Sequence, residues 1–219
     1  MAERAAAASR RTRRSTPLPA CFYDRDTEQV ARDLLGAVLR HTTADGVASG
    51  RIVETEAYLG EHDPACHAAA GHTQRTRWLY GAPGTAYVYF IYGVHWCFNA
   101  VTRAVGSPSA VLVRALEPLD GVELMRERRG LSRERDPTPT LTLTNGPGKL
   151  CEALGITGAL NGLPLRKGAI EILRGEEIPD SRVQVTPRIG ITKSAEWPLR
   201  WYVKDNPYVS KTPKHLRPG

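Results

Sequence analysis

The sequence predicts an α+β fold, a single domain in which a mostly antiparallel sheet is flanked by helices. Segments with strand-like patterns follow one another in runs and do not alternate regularly with helices, which argues against a parallel βαβ sheet. The length of 219 residues and the hydrophobic content of 41% fit one globular domain. No break in composition and no internal repeat divides residues 22–212, so we expect one domain.

The first 18 residues are predicted to be a disordered basic tail, followed by a folded domain over residues 19–219. The tail holds five arginines against one glutamate, which accounts for four of the seven net positive charges. Such a tail can be a leader that aids solubility or an arm that binds phosphates, since neutralising phosphates releases counterions. An organelle transit peptide is a further alternative, because the segment is rich in Arg, Ala and Ser.

The first helix is predicted to begin after Asp26, which can cap it while Gln29 reaches back to the cap. Apolar residues recur at helical spacing and predict one buried face, formed by Val30, Leu34, Leu35, Val38 and Leu39. This face extends the predicted helix to Leu39.

A change to a period of two predicts a strand over residues 51–58. Alternation places a mixed set of side chains on one face of that strand, namely Ile52, Glu54, Glu56 and Tyr58. The next stretch, residues 60–83, is polar and rich in His and Arg, which predicts a long surface loop or short helix. Connections of that length are usually functional.

The densest apolar stretch, residues 85–102, predicts two strands that meet near Gly93 as a β-hairpin. The remaining predicted elements are a strand over residues 110–116 closed by Pro118, a helix over 119–129, a helix through 149–154 capped by Asn145, and strands over 170–173, 183–191 and 199–203. Neighbouring strands with helices at their flanks complete the α+β pattern.

The cysteines and histidines do not form a familiar metal-binding pattern. The four cysteines are 31 to 54 residues apart and form no C-x-x-C pair, so we predict reduced thiols in an intracellular protein. His62, His67 and His72 recur at a spacing of five beside Cys66, which matches no common zinc site. We expect no metal, and a metal hydrolase built on these histidines stays an alternative.

Glu54 and Glu56 are candidate catalytic groups, because carboxylates at positions i and i+2 share one strand face with the aromatic ring of Tyr58. A carboxylate partly removed from water is a stronger base, since burial raises its pKa. The alternative interpretation is a pair of exposed acids that protects an edge strand.

Arg114 and Asn99 are polar residues inside predicted apolar strands and therefore need specific partners. A buried arginine requires an anion, and Glu56 is the expected partner of Arg114. Such residues have no evident purpose in a purely structural sheet, which indicates a functional site.

Tyr92 precedes the glycine of the predicted hairpin turn, so its ring is expected to project outward. With Arg75 and Arg77 beside it, such a ring is suited to wedging between the base pairs of a duplex. The sequence therefore predicts a nucleic-acid interface at the tip of the hairpin.

Two further segments could contact phosphates. Residues 145–149 carry a Gly-Pro-Gly-Lys run at a predicted helix start but lack the full phosphate-loop pattern, so helix capping is the simpler interpretation. Residues 187–193 offer Arg188, Lys193 and the open backbone of Gly190 as a further phosphate contact. The cations predicted to contact the DNA backbone are therefore Arg75, Arg77, Arg188 and Lys193.

Eight runs follow one another over residues 22–210: ARDLLG, GRIVETEAYLG, RTR, PGTAYVYFIYG, VLVRALEPLDG, NGPGKLCEALGI, RIGI and AEWPLRWYVKDNPYVS. Together they resemble the alkyladenine (3-methyladenine) DNA glycosylase family of the mammalian type. Each run is a weak signal by itself, but eight in order are specific. Val94-His95 and residues 78–80 depart from the mammalian pattern, which has Met-Tyr and small or sulfur-containing residues at these two places.

The resemblance implies a single domain with a curved antiparallel sheet, and makes residues 19–219 a DNA glycosylase domain. By motif position, Glu56 is expected to be the general base that activates water. Arg114 is expected to help hold that water. Tyr92 is expected to fill the hole that a flipped nucleotide leaves in the duplex.

The resemblance also implies a pocket for the flipped base. Tyr58 and His67 are expected to be the two walls between which the base stacks, and Tyr89 to complete the pocket. Asn99 occupies the place that disfavours guanine in the family, through a clash with the exocyclic amine.

The implied activity is removal of alkylated or deaminated purines from duplex DNA by hydrolysis of the N-glycosidic bond, which leaves an abasic site. An alkylated purine is already cationic, so one carboxylate can suffice, whereas neutral hypoxanthine also needs an acid that the sequence does not identify. No lysine precedes Lys149, which favours hydrolysis over lyase chemistry by an amine. The preferred lesion stays open among 3-methyladenine, hypoxanthine and ethenoadenine.

The expected partner is double-stranded DNA containing damaged purines, bound by a monomer without a cofactor. No stretch approaches the roughly 20 uninterrupted apolar residues of a membrane span, so we expect no membrane partner and an intracellular location, the cytoplasm or nucleoid in a bacterium. The alternative from another class is a non-catalytic duplex nucleic-acid-binding protein. Such a protein gains nothing from a carboxylate pointed at the nucleic acid.

Overall fold

The computed structural model describes residues 16–131 and 140–211. Its α-helices in these ranges are α1 (Ala20–Tyr23), α2 (Thr27–Asp33), α3 (Val122–Arg128) and α4 (Pro147–Leu154). Its strands are β1 (Val38–Thr43), β2 (Gly46–Tyr58), β3 (Ala86–Ile91), β4 (His95–Thr102), β5 (Ser109–Pro118), β6 (Ile170–Leu173), β7 (Val183–Thr186) and β8 (Arg200–Val203). Short 3-10 helices lie at His67–Ala70, Arg77–Tyr80, Gly158–Leu160 and Asp180–Arg182.

The strands form one antiparallel sheet in which β2 is the longest member. The order along the sheet is β3-β4-β5-β2-β1-β6, and β7 pairs with β8. β5 lies along one edge of β2, while the other edge is shared by β1 at residues 46–51 and by β8 at residues 54–56. Because β2 passes from one partner to another, the sheet curls into a half barrel. The predicted α+β fold with a curved antiparallel sheet is confirmed.

The main hydrophobic core lies between this sheet and the helices α2 and α4. The hydroxyl of Thr55 donates a hydrogen bond of 2.8 Å to the carbonyl of Ala31 and so ties β2 to α2. A smaller cluster packs under the β2–β3 connection and includes Cys66, Ala68 and Leu79. The connection is therefore anchored to the sheet at the place where His67 lies.

The N-terminal boundary of the domain lies before the predicted one. Residues 1–15 of the predicted tail fall outside the described residues. Leu18 is buried in the core, its N–H donates to the carbonyl of Ile172, and the carbonyl of Thr16 accepts from Arg174 N–H. The prediction that the tail extends to residue 18 is therefore wrong for residues 16–18, which pair beside β6.

The predicted helix over residues 27–39 is too long. Asp26 caps α2 as predicted, by accepting from the N–H of Glu28, but the helix ends at Asp33. Gly36 then adopts a φ of +87°, and a Cβ there would lie 1.9 Å from the carbonyl oxygen of Glu176. Only glycine fits this reversal. Val38 and Leu39 consequently belong to β1.

Two later elements also differ from the prediction. Helix α4 is capped by Gly146 with Pro147 in its first turn, while the Asn145 side chain accepts a hydrogen bond from Lys149. The strand predicted over residues 183–191 ends at Thr186. The β3–β4 hairpin, β5 and β6 are confirmed.

The alternation predicted for β2 holds at its C-terminal end only. Register irregularities against β5 lie between Ile52 and Glu54 and between Glu54 and Thr55. Ile52 belongs to the main core together with Val53. The irregularity therefore separates Ile52 from the polar face that begins at Glu54.

Candidate active site

A cavity of roughly 290 Å³ is lined by residues of β2, β3, β4 and β5. It falls at the lower end of the usual size of small-molecule sites. Six residues predicted from the sequence to form the site line it, namely Tyr58, His67, Tyr89, Tyr92, Asn99 and Arg114. The hairpin, the β2–β3 connection and residues 189–191 form its walls, so segments distant in sequence meet at one place.

Glu56 lies behind the wall of this cavity and is fully buried. Its Oε2 accepts hydrogen bonds from the Tyr58 hydroxyl at 3.0 Å and from Arg114 Nη1 at 3.2 Å. Its Oε1 accepts from the Ile189 N–H at 2.7 Å. All three donor residues line the cavity, so the carboxylate is fixed directly behind its surface. The predicted pair of Arg114 and Glu56 is confirmed.

Glu54 shares Arg114 with Glu56 but contacts a different set of donors. Its Oε1 accepts from Arg114 Nε at 2.9 Å, Arg200 Nε at 2.7 Å and the Ser210 hydroxyl at 2.8 Å, and its Oε2 from Ser210 N–H at 2.7 Å. Burial acts to raise the pKa of Glu54, but the two guanidinium groups and the hydrogen bonds lower it below the usual value. Glu54 is therefore a permanent anion that holds Arg114.

The imidazole of His67 faces two tyrosine rings of β3. Its Nδ1 lies 2.9 Å from the Tyr87 hydroxyl, and its ring meets the Tyr89 ring edge-on with centroids 4.4 Å apart. Burial and the nearby Arg75 charge lower the pKa of His67 to about 4. The imidazole is therefore neutral at pH 7, and the hydrogen bond fixes its orientation.

The ring of Tyr58 forms another wall of the cavity. Its hydroxyl donates to Glu56, and the guanidinium carbon of Arg188 lies 4.7 Å from its ring centroid. Burial and the charge of Glu56 raise the pKa of Tyr58 well above the usual value. Tyr58 therefore stays a neutral hydrogen-bond donor, held at its hydroxyl and on one ring face.

Asn99 lies on β4 with its amide in the cavity wall. Its Nδ2 donates a hydrogen bond of 3.0 Å to the carbonyl of Tyr87, the residue paired with it across the hairpin. The side chain is buried and cannot turn freely. It therefore presents a fixed polar edge to anything that enters the cavity.

Tyr92 is at the tip of the β3–β4 hairpin and is 80% exposed. It has a φ of +54°, followed by Gly93 at +69°, and the turn is closed by a bond from Val94 N–H to the Ile91 carbonyl. A left-handed backbone costs a bulky residue about 1–2 kcal/mol. Such a strained and exposed ring at the mouth of a cavity indicates a functional contact.

The comparison with known proteins agrees with this geometry. The model of the family described as "Methylpurine-DNA glycosylase (MPG)" matches residues 21–207. The chain belongs to the methylpurine-DNA glycosylase family. The family predicted from the eight sequence runs is thereby confirmed.

Curated relatives match over almost the whole chain. A protein named "Putative 3-methyladenine DNA glycosylase" from Methanoculleus marisnigri is 50% identical over 197 residues, which cover 89% of this chain and 98% of that protein. Proteins of the same name from Myxococcus xanthus and Salinibacter ruber are 47% and 48% identical, and the matches cover 90% and 89% of this chain and 94% and 96% of those proteins.

Membership in the methylpurine-DNA glycosylase family shows the class of chemistry. Members are DNA repair glycosylases, which are hydrolases of N-glycosyl bonds, and DNA is the partner. The enzyme class and the DNA repair function predicted from the sequence are therefore confirmed at this level. In the described residues no helix is long and apolar enough to cross a membrane.

Three of the four cations predicted to contact the DNA backbone are exposed. Arg75 donates to the carbonyl of Phe90 on the hairpin, and Arg77 lies on the 3-10 helix at residues 77–80. Lys193 lines a pocket that adjoins the cavity and shares Tyr92 with it. Their contact to a duplex stays a prediction.

The fourth prediction, that Arg188 contacts the DNA backbone, is wrong. Its side chain has no exposed area and is bound to Asp63 through two nitrogen–oxygen contacts of 2.5 and 2.9 Å. A guanidinium that is already paired and desolvated cannot reach a phosphate on the surface. Arg188 is instead part of the wall behind Tyr58.

Several residues of the site were not predicted from the sequence. Tyr87 hydrogen-bonds His67, Asp63 binds Arg188, and Arg200 and Ser210 both bind Glu54. Arg200 gave the same signal as Arg114, a charged residue in a short apolar strand, and could have been found in that way. The roles of Asp63 and Ser210 depend on partners distant in the sequence.

The histidines predicted as an alternative metal cluster have separate surroundings. His67 contacts Tyr87 and Tyr89, whereas the ring of His72 lies 4.7 Å from that of Tyr80. Among residues 16–131 and 140–211, no group of three or more His, Cys, Asp or Glu side chains is placed to hold a metal ion. The geometry of the described residues therefore gives no support to the metal-hydrolase alternative.

Proposed function

We propose that this glycosylase removes alkylated or deaminated purines from double-stranded DNA, acting as a monomer by base flipping and simple hydrolysis. The observation that carries the proposal is the position of Glu56. Its carboxylate is fixed by Tyr58, Arg114 and Ile189, three residues that line one aromatic cavity. That cavity opens beside the exposed ring of Tyr92.

The purine enters the cavity because a base within a duplex cannot be reached. Flipping costs a few kcal/mol, and less for a damaged or mismatched pair. Stacking between Tyr58 and His67 contributes roughly 1–3 kcal/mol per base. Since His67 is neutral at pH 7, it does not repel a cationic alkylated purine.

Hydrolysis then requires one water and one base. Glu56 takes a proton from a water that enters the cavity beside its carboxylate and that Arg114 helps to hold, and the oxygen of that water bonds to C1′ of the sugar. The C1′–N bond breaks, and its electron pair leaves with the purine. An alkylated purine departs as a neutral molecule because it was cationic before the step, whereas a deaminated purine departs as an anion that takes up a proton from solvent.

Asn99 supplies selectivity against guanine. Its side chain is buried and its amide nitrogen is committed to the Tyr87 carbonyl. An exocyclic amine of guanine directed at this wall would clash or lose its hydrogen bonds, and an unpaired buried polar group costs about 1–3 kcal/mol. Adenine and hypoxanthine carry no amine at C2, the position of the exocyclic amine in guanine.

The duplex is proposed to lie across the hairpin tip. Tyr92 enters the gap left by the flipped nucleotide, while the three exposed cations Arg75, Arg77 and Lys193 contact phosphates. Cations that neutralise phosphates release counterions, so affinity should fall steeply with salt concentration. Removing Lys193 should reduce the salt slope by about one unit.

The deciding experiment is to incubate the purified protein with duplex DNA containing one methylated purine, hypoxanthine or ethenoadenine. We expect a free base and an alkali-sensitive abasic site in equal amounts, unaffected by a chelator. Binding without base release would favour the non-catalytic duplex-binding alternative. Activity abolished by the chelator would favour the metal hydrolase.

The role of Tyr92 is tested by the variant Tyr92→Ala with Val105→Ala as the matched control. Val105 is 70% exposed in the β4–β5 loop, at the opposite end of the strand from the hairpin tip. We expect Tyr92→Ala to weaken binding to lesion-containing duplex more than to undamaged duplex. Equal losses on both duplexes, or the same loss in Val105→Ala, would exclude the wedge. Sedimentation of the free protein checks the monomer.

A further inference from the structure

A buried ion pair between Arg188 and Asp63 lies behind the cavity wall. Neither side chain has exposed area, and Arg188 Nη1 and Nη2 bind Asp63 Oδ2 and Oδ1 at 2.5 and 2.9 Å. The proposed hydrolysis assigns no step to either residue. Neither can contact DNA, because both are sealed from solvent.

Arg188 links the segment that holds Glu56 to the central strand. Its Nη1 also donates to the carbonyl of Ala57 on β2 at 3.0 Å, and its guanidinium covers the ring of Tyr58. The next residue along the chain, Ile189, donates its N–H to Glu56 Oε1. Fixing Arg188 therefore fixes the peptide that orients Glu56.

Asp63 holds the connection that leads to His67. Its Oδ2 accepts from the N–H of Leu59 at 3.2 Å, and its Oδ1 accepts from the N–H of Ala65 at 3.0 Å. Because Arg188 binds both oxygens, the connection and the 188–191 segment are locked to each other. The distance between two sides of the cavity depends on this contact.

We propose that Arg188 and Asp63 are positioning residues, which set the geometry of Glu56 through the N–H of Ile189. The inference rests on the proposed function, since it assigns to the pair a contribution to base excision. A bidentate arginine–carboxylate contact fixes direction as well as distance, which a single charge does not.

A purely stabilising role would not require these two charges. Taking both ions out of water is costly, and buried ion pairs can often be replaced by apolar residues without loss of stability. What apolar residues cannot supply is the set of directed bonds to Ala57, Leu59 and Ala65. These bonds converge on the two segments that hold Glu56 and His67.

The test is the variant Asp63→Asn, which keeps the shape of the side chain but removes its charge. We expect the single-turnover rate constant of base excision at saturating enzyme to fall about 10- to 100-fold, as misplacement of a catalytic group does. Affinity for a duplex with a tetrahydrofuran abasic-site analogue should change less than about threefold, because no phosphate contact is lost. Asp63→Glu, which keeps the charge, should recover part of the rate.

The matched control is Glu171→Gln, which breaks another arginine–carboxylate pair, with Arg40 across β1 and β6. This variant should excise at the wild-type rate. Circular dichroism and thermal unfolding identify a temperature at which each variant is folded. If Asp63→Asn does not fold, Arg188→Lys takes its place, because lysine keeps the charge but cannot bind both oxygens and Ala57.

The outcomes separate the inference from the proposed function. A wild-type protein that releases no base overturns the proposed function itself. A wild-type protein that is active, together with a folded Asp63→Asn or Arg188→Lys that excises equally fast, overturns the positioning role. A parallel loss in Glu171→Gln also overturns it, since the loss would then follow from general destabilisation.

Discussion

Glu54 and Glu56 stand two residues apart on β2 and share Arg114, but their surroundings differ. In the described part of the chain Glu54 accepts four hydrogen bonds, two from arginines and two from Ser210. Glu56 accepts from Tyr58, Arg114 and Ile189, all of which line the cavity. The donors of Glu54 lie away from the cavity lining except for Arg114, whereas every donor of Glu56 lines the cavity.

Under the proposed function, one strand supplies both a structural carboxylate, Glu54, and a chemical one, Glu56. Arg114 is neutralised by Glu54, so it can hold Glu56 without leaving a buried charge uncompensated. The negative charges of Glu56 and Glu54 raise the pKa of Arg114 by more than burial lowers it. Arg114 is therefore a permanent cation. The following four experiments test this division, beginning with the largest expected effect.

Glu56→Gln should nearly abolish base excision. Loss of a general base typically costs 10²–10⁴-fold, so we expect the single-turnover rate constant to fall about 1,000-fold. Binding to lesion-containing duplex should persist, because Gln keeps the size of the side chain. A gel-based excision assay together with fluorescence anisotropy measures both. Unchanged excision would remove Glu56 from the mechanism.

Glu54→Gln should chiefly affect folding stability. Removing the charge of Glu54 takes one carboxylate from a buried ion cluster that includes Arg114 and should lower the free energy of unfolding by about 3 kcal/mol. Where the variant is folded, the rate constant of excision should fall less than tenfold, which corresponds to an increase of less than about 1.4 kcal/mol in the activation free energy. Urea denaturation measures the change in the free energy of unfolding. If Glu54→Gln lost as much excision as Glu56→Gln, the division of roles between the two glutamates would be wrong.

His67 and Glu54 should also differ in how their contributions to folding stability depend on pH. Burial, with a contribution from Arg75, lowers the pKa of His67 from its usual 6.5 to about 4, so between these values the unfolded state binds more protons. Stability is therefore lost as pH falls through this window. Glu54 has a lowered pKa, so its contribution is complete above its usual 4.5 and is lost at still lower pH.

Replacement of His67 checks this window. His67→Gln should reduce the loss of stability between pH 7 and pH 4 by roughly 3 kcal/mol. Denaturant unfolding of both proteins at several pH values measures the difference. An identical pH profile in the variant would contradict a buried neutral imidazole, whereas Glu54→Gln should alter the profile mainly below pH 4.5.

Ser210→Ala should have the smallest effect. It removes the hydroxyl donor to Glu54 Oε1 but leaves the backbone N–H donor to Oε2. A net loss of about 1.5 kcal/mol in the free energy of unfolding is expected for one hydrogen bond to an anion. In the assay used for Glu56→Gln, the rate constant of excision should stay within twofold of the wild type, a change of about 0.4 kcal/mol in the activation free energy. A larger loss of excision would show that Glu54 acts directly in the chemistry.

The features that were predicted correctly depend on local patterns. The β3–β4 hairpin follows from dense apolar residues around one glycine, and the Arg114–Glu56 pair from a charge inside an apolar strand. The resemblance to a known family added roles that the patterns themselves do not define. The family and the enzyme class were predicted, while the individual residue roles await the experiments above.

The errors arise where a distant partner decides the outcome. The segment around Arg188 has the residue types of a phosphate contact. In the structure, however, Arg188 is buried against Asp63, which lies 125 residues earlier in the chain. Val38 and Leu39 continue a helical pattern, but Gly36 reverses the chain against residue 176. The residues next to Arg188 or Gly36 in the sequence do not identify either partner, because both contacts form between segments far apart in the chain.

The contact between Glu54 and Ser210 has a consequence for the order in which the enzyme is made. Ser210 is translated 156 residues after Glu54, and Arg200 is translated 146 residues after it. A ribosome therefore exposes the glutamates and Arg114 of this cluster long before their last partners emerge. The cluster around Glu54, Glu56 and Arg114 can be completed only after Ser210 has emerged, so a nascent chain that reaches DNA before that point carries an unassembled cluster.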